Sequence, residues 1–166
     1  MVSEKNSTIA IIMGSDSDMA VMQSCIEQLK SFEIEPIVRI LSAHRTPQAA
    51  CEFAQNASNN GIKVIIAAAG MAAHLAGAMA AHSNLPVIGV PLDAGGLGGI
   101  DALLSTVQMP PGIPVATMAI GKAGAKNAAI FAIKILALND EKLYEKLENF
   151  KKEQEKKVLK KNDSLK

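Results

Sequence analysis

Ile37-Val38-Arg39-Ile40-Leu41-Ser42-Ala43-His44-Arg45-Thr46-Pro47 changes its patterning halfway along. The first part is apolar and β-branched apart from one Arg, which is how a strand reads. Thr46 then suits an N-cap, and Pro47 suits the first helical position, where no N–H partner is needed. A strand that passes into a helix, with no hairpin signal, is the repeating unit of a parallel sheet. The turn between them delivers a hydroxyl (Ser42), an imidazole (His44) and a guanidinium (Arg45) at a strand exit. In open parallel sheets that edge is where ligands collect. A His can move protons near neutral pH, and an Arg can grip a phosphate with paired hydrogen bonds. The same residues also suit a helix start dressed with surface polar groups, and this stretch alone leaves both readings open.

The alternation repeats on either side. Residues 8–13 form a continuous apolar run, as expected of a strand covered on both faces. Gly14-Ser15-Asp16-Ser17-Asp18 follows, and a helix is predicted over 19–32, with Met19, Met22, Ile26 and Leu29 at helical spacing. The serines and aspartates either cap this helix or present its free N–H groups to an anion. There is no G-x-G-x-x-G here to support a dinucleotide fingerprint. The second strand is predicted over 35–41, with its helix over 47–59 ended by Asn60-Gly61. A third strand over 63–68 meets Ala69-Gly70-Met71-Ala72-Ala73-His74, where Gly70 permits close approach to the backbone. A small-residue helix then runs to about residue 82. His74 is read either as a structural His bonded to a neighbouring loop or as a catalytic one.

A fourth strand is predicted over 86–91, followed by a Gly-rich loop over 92–109 with a helical turn around 101–107. Loops of that length are usually functional or contact a partner. The fifth strand covers 114–118. Gly121-Lys122-Ala123-Gly124 looks like a phosphate loop only superficially, because no Ser or Thr follows the Lys, and it is read as the start of a helix over 123–138. Asn139-Asp140 caps a last amphipathic helix carrying Leu143, Leu147 and Phe150. Residues 151–166 hold seven Lys against three acids. Without aromatics or Arg, this tail reads as a solvated, fraying end rather than a nucleic-acid contact.

The expected fold is thus α/β: a doubly wound parallel sheet in a three-layer α/β/α arrangement, flavodoxin/Rossmann-like, with a C-terminal helix. One domain over 1–166 is expected, with its core at about 8–150. Its first three strand exits carry polar turns that converge on one sheet edge. Hydrophobic residues make up 49% of the chain, yet there is one Tyr, four Phe and no Trp, which argues against an aromatic nucleic-acid platform. A net charge of +1 points to neither nucleic acid nor membrane. Residues 64–81 are apolar except for His74, but their Ala and Gly content suits a strand, a turn and a buried helix better than a span. Cys25 and Cys51 stand in no metal-ligand spacing and suit a reducing cytosol, and the polar, charged residues 1–7 do not read as a signal peptide.

Met13-Gly14-Ser15-Asp16-Ser17-Asp18, Ser42-Ala43-His44-Arg45-Thr46-Pro47 and Ala72-Ala73-His74-Leu75 occur in that order. Gly89-Val90-Pro91, Val107-Gln108-Met109-Pro110 and Ala119-Ile120-Gly121-Lys122-Ala123-Gly124-Ala125-Lys126-Asn127-Ala128 follow. In these motifs the chain resembles the class I N5-carboxyaminoimidazole ribonucleotide mutases of bacterial purine (IMP) biosynthesis, over residues 8–150. The resemblance implies a cytoplasmic isomerase that needs no cofactor or metal and acts on a small ribonucleotide. It implies His44 as general acid and base, Ser15, Ser42 and Arg45 at the phosphate or ribose, and Asp18 at the ribose hydroxyls, with Ser17 sharing the phosphate. The backbone around Ala69 to Ala73 would cradle the carboxylate and trapped CO2, with Gly70, Met71, Ala72 and His74 in the substrate-binding set. The family commonly has paired glycines where this chain has Gly70-Met71, and Pro where it has Ala76. The related class II carboxylases usually show Lys in place of Arg45, which favours the mutase. Homo-octamers with the site between subunits are further implied, with residues 92–99 and Gln108-Met109-Pro110 at subunit boundaries. Two other readings stay open: a carboxylase using CO2 directly, and a nucleotide-binding regulatory module with no need of His44.

Overall fold

In the computed structural model, which describes residues 7–165, the apolar runs become the strands of one parallel sheet. The strands are β1 (Ile9–Met13), β2 (Ile37–Ile40), β3 (Val64–Gly70), β4 (Val87–Leu92) and β5 (Ala116–Thr117), in the order β2-β1-β3-β4-β5. The helices are α1 (Met19–Lys30), α2 (Pro47–Asn56), α3 (Leu75–His82), α4 (Ile100–Val107), α5 (Gly121–Ala137) and α6 (Glu141–Asp163). A single 3-10 turn, Asp16–Asp18, precedes α1. This is the flavodoxin-like doubly wound order that the alternation predicts.

Every residue of β1 and β4 is buried, as are the first five of β3, so uninterrupted apolar sequence was needed there. β2 lies at the sheet edge and is half-exposed, which is why it tolerates Arg39. On one face, Ala10, Ile12, Ile65 and Ala67 pack with Ala50, Ala54 and Ala57 at α2 and with Leu75, Ala76 and Met79 of α3. Strand alternation sends Ile9, Ile11, Met13 and Ile66 to the opposite face. The right-handed crossover from β1 to β2 puts α1 on that side. There the Ser24 hydroxyl donates to the Lys122 carbonyl at 3.5 Å, joining α1 to the start of α5. Each fully buried Ile contributes roughly 1.5–3 kcal/mol, and β1 carries three of them, Ile9, Ile11 and Ile12. Burial also pushes the Cys25 thiol up to about 12, and the residue behaves as a small core side chain.

The register sets the strand exits level with one another. Met13 pairs with Ile40 on one side and with Ala68 on the other, and Gly70 pairs with Leu92. Residues 64–81 resolve into β3, a turn and α3, and no helix among the described residues is long and apolar enough to cross a membrane.

Three expectations need correction. The stretch 92–109 is less irregular than it reads, since the helical turn around 101–107 is the eight-residue α4 and only 93–99 and 108–109 lack regular structure. β5 shrinks to two residues; Pro114 has no N–H for the ladder and falls outside it. The tail does not fray: α6 continues through Asp163.

The chain divides into two compact units at Ala132/Ile133, within α5. The second unit holds the end of α5 and α6. Asp140 caps α6 by accepting from the Leu143 N–H at 3.1 Å, as the sequence predicts. Leu147 is buried and Leu143 and Phe150 are half-buried, whereas every described residue from 151 onward is exposed. Ion pairs at i,i+3, Lys151–Glu148 (3.2 Å) and Lys156–Glu153 (2.8 Å), support this solvated part. The first six residues, where no signal peptide is read, and Lys166 lie outside the described residues.

Candidate functional site

The turn after β1 is built from its own polar side chains. The Gly14 N–H donates to the Ala68 carbonyl at 3.2 Å, tying the turn to β3. Ser15 and Asp18 form a capping box: the Ser15 hydroxyl accepts from the Ser17 N–H (3.4 Å), and Asp18 Oδ2 accepts from the Ser15 N–H (3.0 Å). The Ser17 hydroxyl donates to Ser15 Oγ at 3.0 Å. Asp18 is only 7% exposed. Burial pushes its carboxyl above the usual aspartate value, against bonds from Ser15, Gly14 and Ser17 and the Arg45 charge, which all pull it down. Capping is therefore a real part of what these residues do.

The turn after β2 closes on itself in the same way. The Ser42 N–H donates to Thr46 Oγ1 (2.9 Å), the Thr46 hydroxyl donates to the Ser42 carbonyl (3.1 Å), and the Arg45 N–H donates to Ser42 Oγ (3.1 Å). Thr46 does hold the N-cap position with Pro47 behind it, but its hydroxyl is engaged by Ser42 and makes no cap bond. The guanidinium of Arg45 then bridges two turns: Nη2 donates to the Gly14 carbonyl at 2.6 Å, and Nε lies 3.5 Å from Ser42 Oγ.

The turn after β3 is the tightest. A Cβ on Gly70 would lie 2.4 Å from the Ala94 Cβ, so only glycine fits there. Met71 has φ 55°, a left-handed conformation that costs an L-residue roughly 1–2 kcal/mol. Met71 thus holds a backbone conformation that glycine favours and adds an exposed side chain. His74 stands at the N-cap of α3 without a side-chain cap bond. Its Nδ1 instead lies 2.8 Å from His44 Nε2, with the rings edge-on at 81° and their centroids 4.9 Å apart. His74 is thus bonded to a neighbouring turn, and the partner is His44.

These turns line one cleft of about 390 Å³, a size suited to a small ligand. Ser15, Ser17 and Asp18 enter from the first turn, Ser42, His44 and Arg45 from the second, and Gly70, Met71, Ala72 and His74 from the third. All ten residues singled out from the sequence therefore meet. The cleft lies where the chain turns one way from β1 and the other way from β3, the switch point of a doubly wound sheet. It brings together a fork-shaped cation, two imidazoles, a buried carboxylate and a turn of small residues. Such a set can hold an anionic ligand and exchange protons with it. Ala94, from the loop after β4, also lines it and was missed. Only the Gly70↔Leu92 register brings that loop alongside, and spacing along the chain does not reveal it. Among the described residues, no group of three or more His, Cys, Asp or Glu could hold a metal ion.

Comparison with known proteins is consistent along nearly the whole chain. A family model described as AIR carboxylase matches residues 8–157. The N5-carboxyaminoimidazole ribonucleotide mutase of Escherichia coli (strain K12) is 50% identical over 155 residues, 93% of this chain and 92% of that protein. Its namesake from Pyrococcus abyssi is 50% identical over 145 residues, 87% of this chain and 82% of that protein. Among solved structures, PurE of Treponema denticola superposes with a TM-score of 0.86 at 28% identity, covering 95% of this chain and 98% of that one.

Proposed function

The chain belongs to the AIR carboxylase family, and on that footing we propose that it interconverts N5-carboxyaminoimidazole ribonucleotide and 4-carboxy-5-aminoimidazole ribonucleotide in purine biosynthesis. The observation that carries this reading is the meeting of three strand-exit turns in one cleft, with His44 and Arg45 side by side. The reaction moves one carboxyl group and returns one proton. Protonated His44 gives its proton to the exocyclic nitrogen as the N–C bond to the carbamate breaks, and CO2 leaves. The ring C4 then bonds to that CO2. Neutral His44 removes the C4 proton and is restored. One imidazole serves both directions because its proton is held weakly enough to leave and strongly enough to return near neutral pH.

In this scheme Arg45, Ser15, Ser17 and Ser42 hold the phosphate and ribose, and Asp18, whose charge would repel a phosphate, takes the ribose hydroxyls. The backbone of Gly70, Met71 and Ala72 cradles the carboxylate and the CO2 in transit. No cofactor takes part. The chain works as a single catalytic domain in the cytoplasm and assembles as a homo-octamer, with residues 92–99 and Gln108-Met109-Pro110 at subunit boundaries.

Ultraviolet absorbance of purified protein, supplied with the carbamate and neither ATP nor metal, tests the reading. Conversion of the carbamate supports it. Conversion only of the aminoimidazole ribonucleotide with bicarbonate would make the chain a direct carboxylase instead. Binding without either conversion would make it a regulatory module.

A further inference from the structure

His74 approaches His44 more closely than any capping or packing role requires. We propose that His74 is the positioning residue of the proton carrier: the hydrogen shared between His44 Nε2 and His74 Nδ1 aims the His44 ring and leaves its Nδ1 to face the ligand. This rests on the reading of His44 as the acid and base.

Two ring nitrogens 2.8 Å apart need one hydrogen between them. If both rings were imidazolium, two N–H groups would face each other and like charges would meet. His74 stands at the N-terminal end of α3, whose dipole disfavours a cation there, so His74 is the acceptor and the His44 Nε2–H the donor of the shared hydrogen.

With Nε2 engaged, His44 Nδ1 is the atom that meets the ligand. When Nδ1 gives its proton away, the His44–His74 bond survives unchanged, so the ring need not turn before taking the proton back. Both partners are well anchored for this. His44 sits inside the bonded Ser42–Thr46 turn, and His74 is flanked by buried Ala73 and Leu75. The His74 ring itself is exposed and caps nothing, so trimming it leaves the fold intact.

The test compares His74→Ala with His74→Asn, whose amide oxygen can accept the same N–H. In ligand-free protein in mildly alkaline buffer, 15N-resolved imidazole shifts should show His44 carrying its hydrogen on Nε2 in wild type and His74→Asn, and a mixture of tautomers in His74→Ala. In turnover, His74→Ala should lower kcat by about tenfold or more, with KM within about threefold, and His74→Asn should restore most of the rate. The same His44 tautomer in all three proteins, or a loss confined to KM, would overturn the proposal. The tautomer measurement does not depend on the reaction assigned. A His44→Asn protein with undiminished turnover would sink that assignment, whereas an unchanged tautomer in His74→Ala sinks only the pairing.

Discussion

Arg45 joins the turns after β1 and β2 through its bond to the Gly14 carbonyl, and the same guanidinium offers a fork to a phosphate. Arg45→Ala should therefore weaken binding of the ribonucleotide by about 1.5–3 kcal/mol, roughly ten- to a hundredfold, while hardly changing binding of the unphosphorylated nucleoside. Calorimetric titration with both ligands checks this, and equal losses would contradict it. Asp18 gives a prediction in pH. Its carboxyl is raised in the folded chain by burial, so folding favours its protonated form. Its stabilising contribution is fully present below the ordinary aspartate value of 3.8 and is lost as pH rises through the higher folded value. Urea unfolding at stepped pH should thus show wild type losing stability relative to Asp18→Asn across that acid window. A relative gain would mean that the turn's hydrogen bonds outweigh burial.

Helices and strands were legible where local chemistry decides them. The β-branched runs, the polar turns behind them and the Asn139-Asp140 cap all read directly from the chain. Gly121-Lys122-Ala123-Gly124 was read as a helix start rather than a phosphate loop, and α5 begins at Gly121. The structure adds why Gly124 is glycine: a Cβ there would lie 1.6 Å from the Ala119 carbonyl oxygen, so side-chain movement cannot relieve the clash. Gly124→Ala should destabilise the chain by about 3 kcal/mol or more, seen as an earlier urea midpoint. An unchanged midpoint would mean that the Ala119 turn gives way freely. The helical turn read around 101–107 is α4, which begins at Ile100 just past the glycines. The far end of α6 escaped because the lysine-rich stretch reads as solvated tail, whereas it is helix supported by Lys–Glu pairs one turn apart. The His44–His74 contact was hidden for another reason. Their turns follow β2 and β3, which are not neighbours in the sheet, so nothing in their spacing announces it.

At the scale of the whole molecule, Ile100, Leu104 and Val107 recur at i, i+4 and i+7 on α4 and remain about half exposed in the single chain, with Leu97 beside them. A stripe of that kind suits burial against other copies in the proposed octamer. Leu104→Glu should shift sedimentation toward smaller species and reduce turnover with it; a monomer with full activity would contradict the assembly. Catalysis as proposed rests on one imidazole moving a proton while the carboxyl group changes position. Its most direct test is His44→Asn, measured for carbamate isomerisation and, by calorimetry, for ribonucleotide affinity. The expected result is loss of turnover by at least about a hundredfold with binding largely intact. Turnover at the wild-type rate would contradict the account.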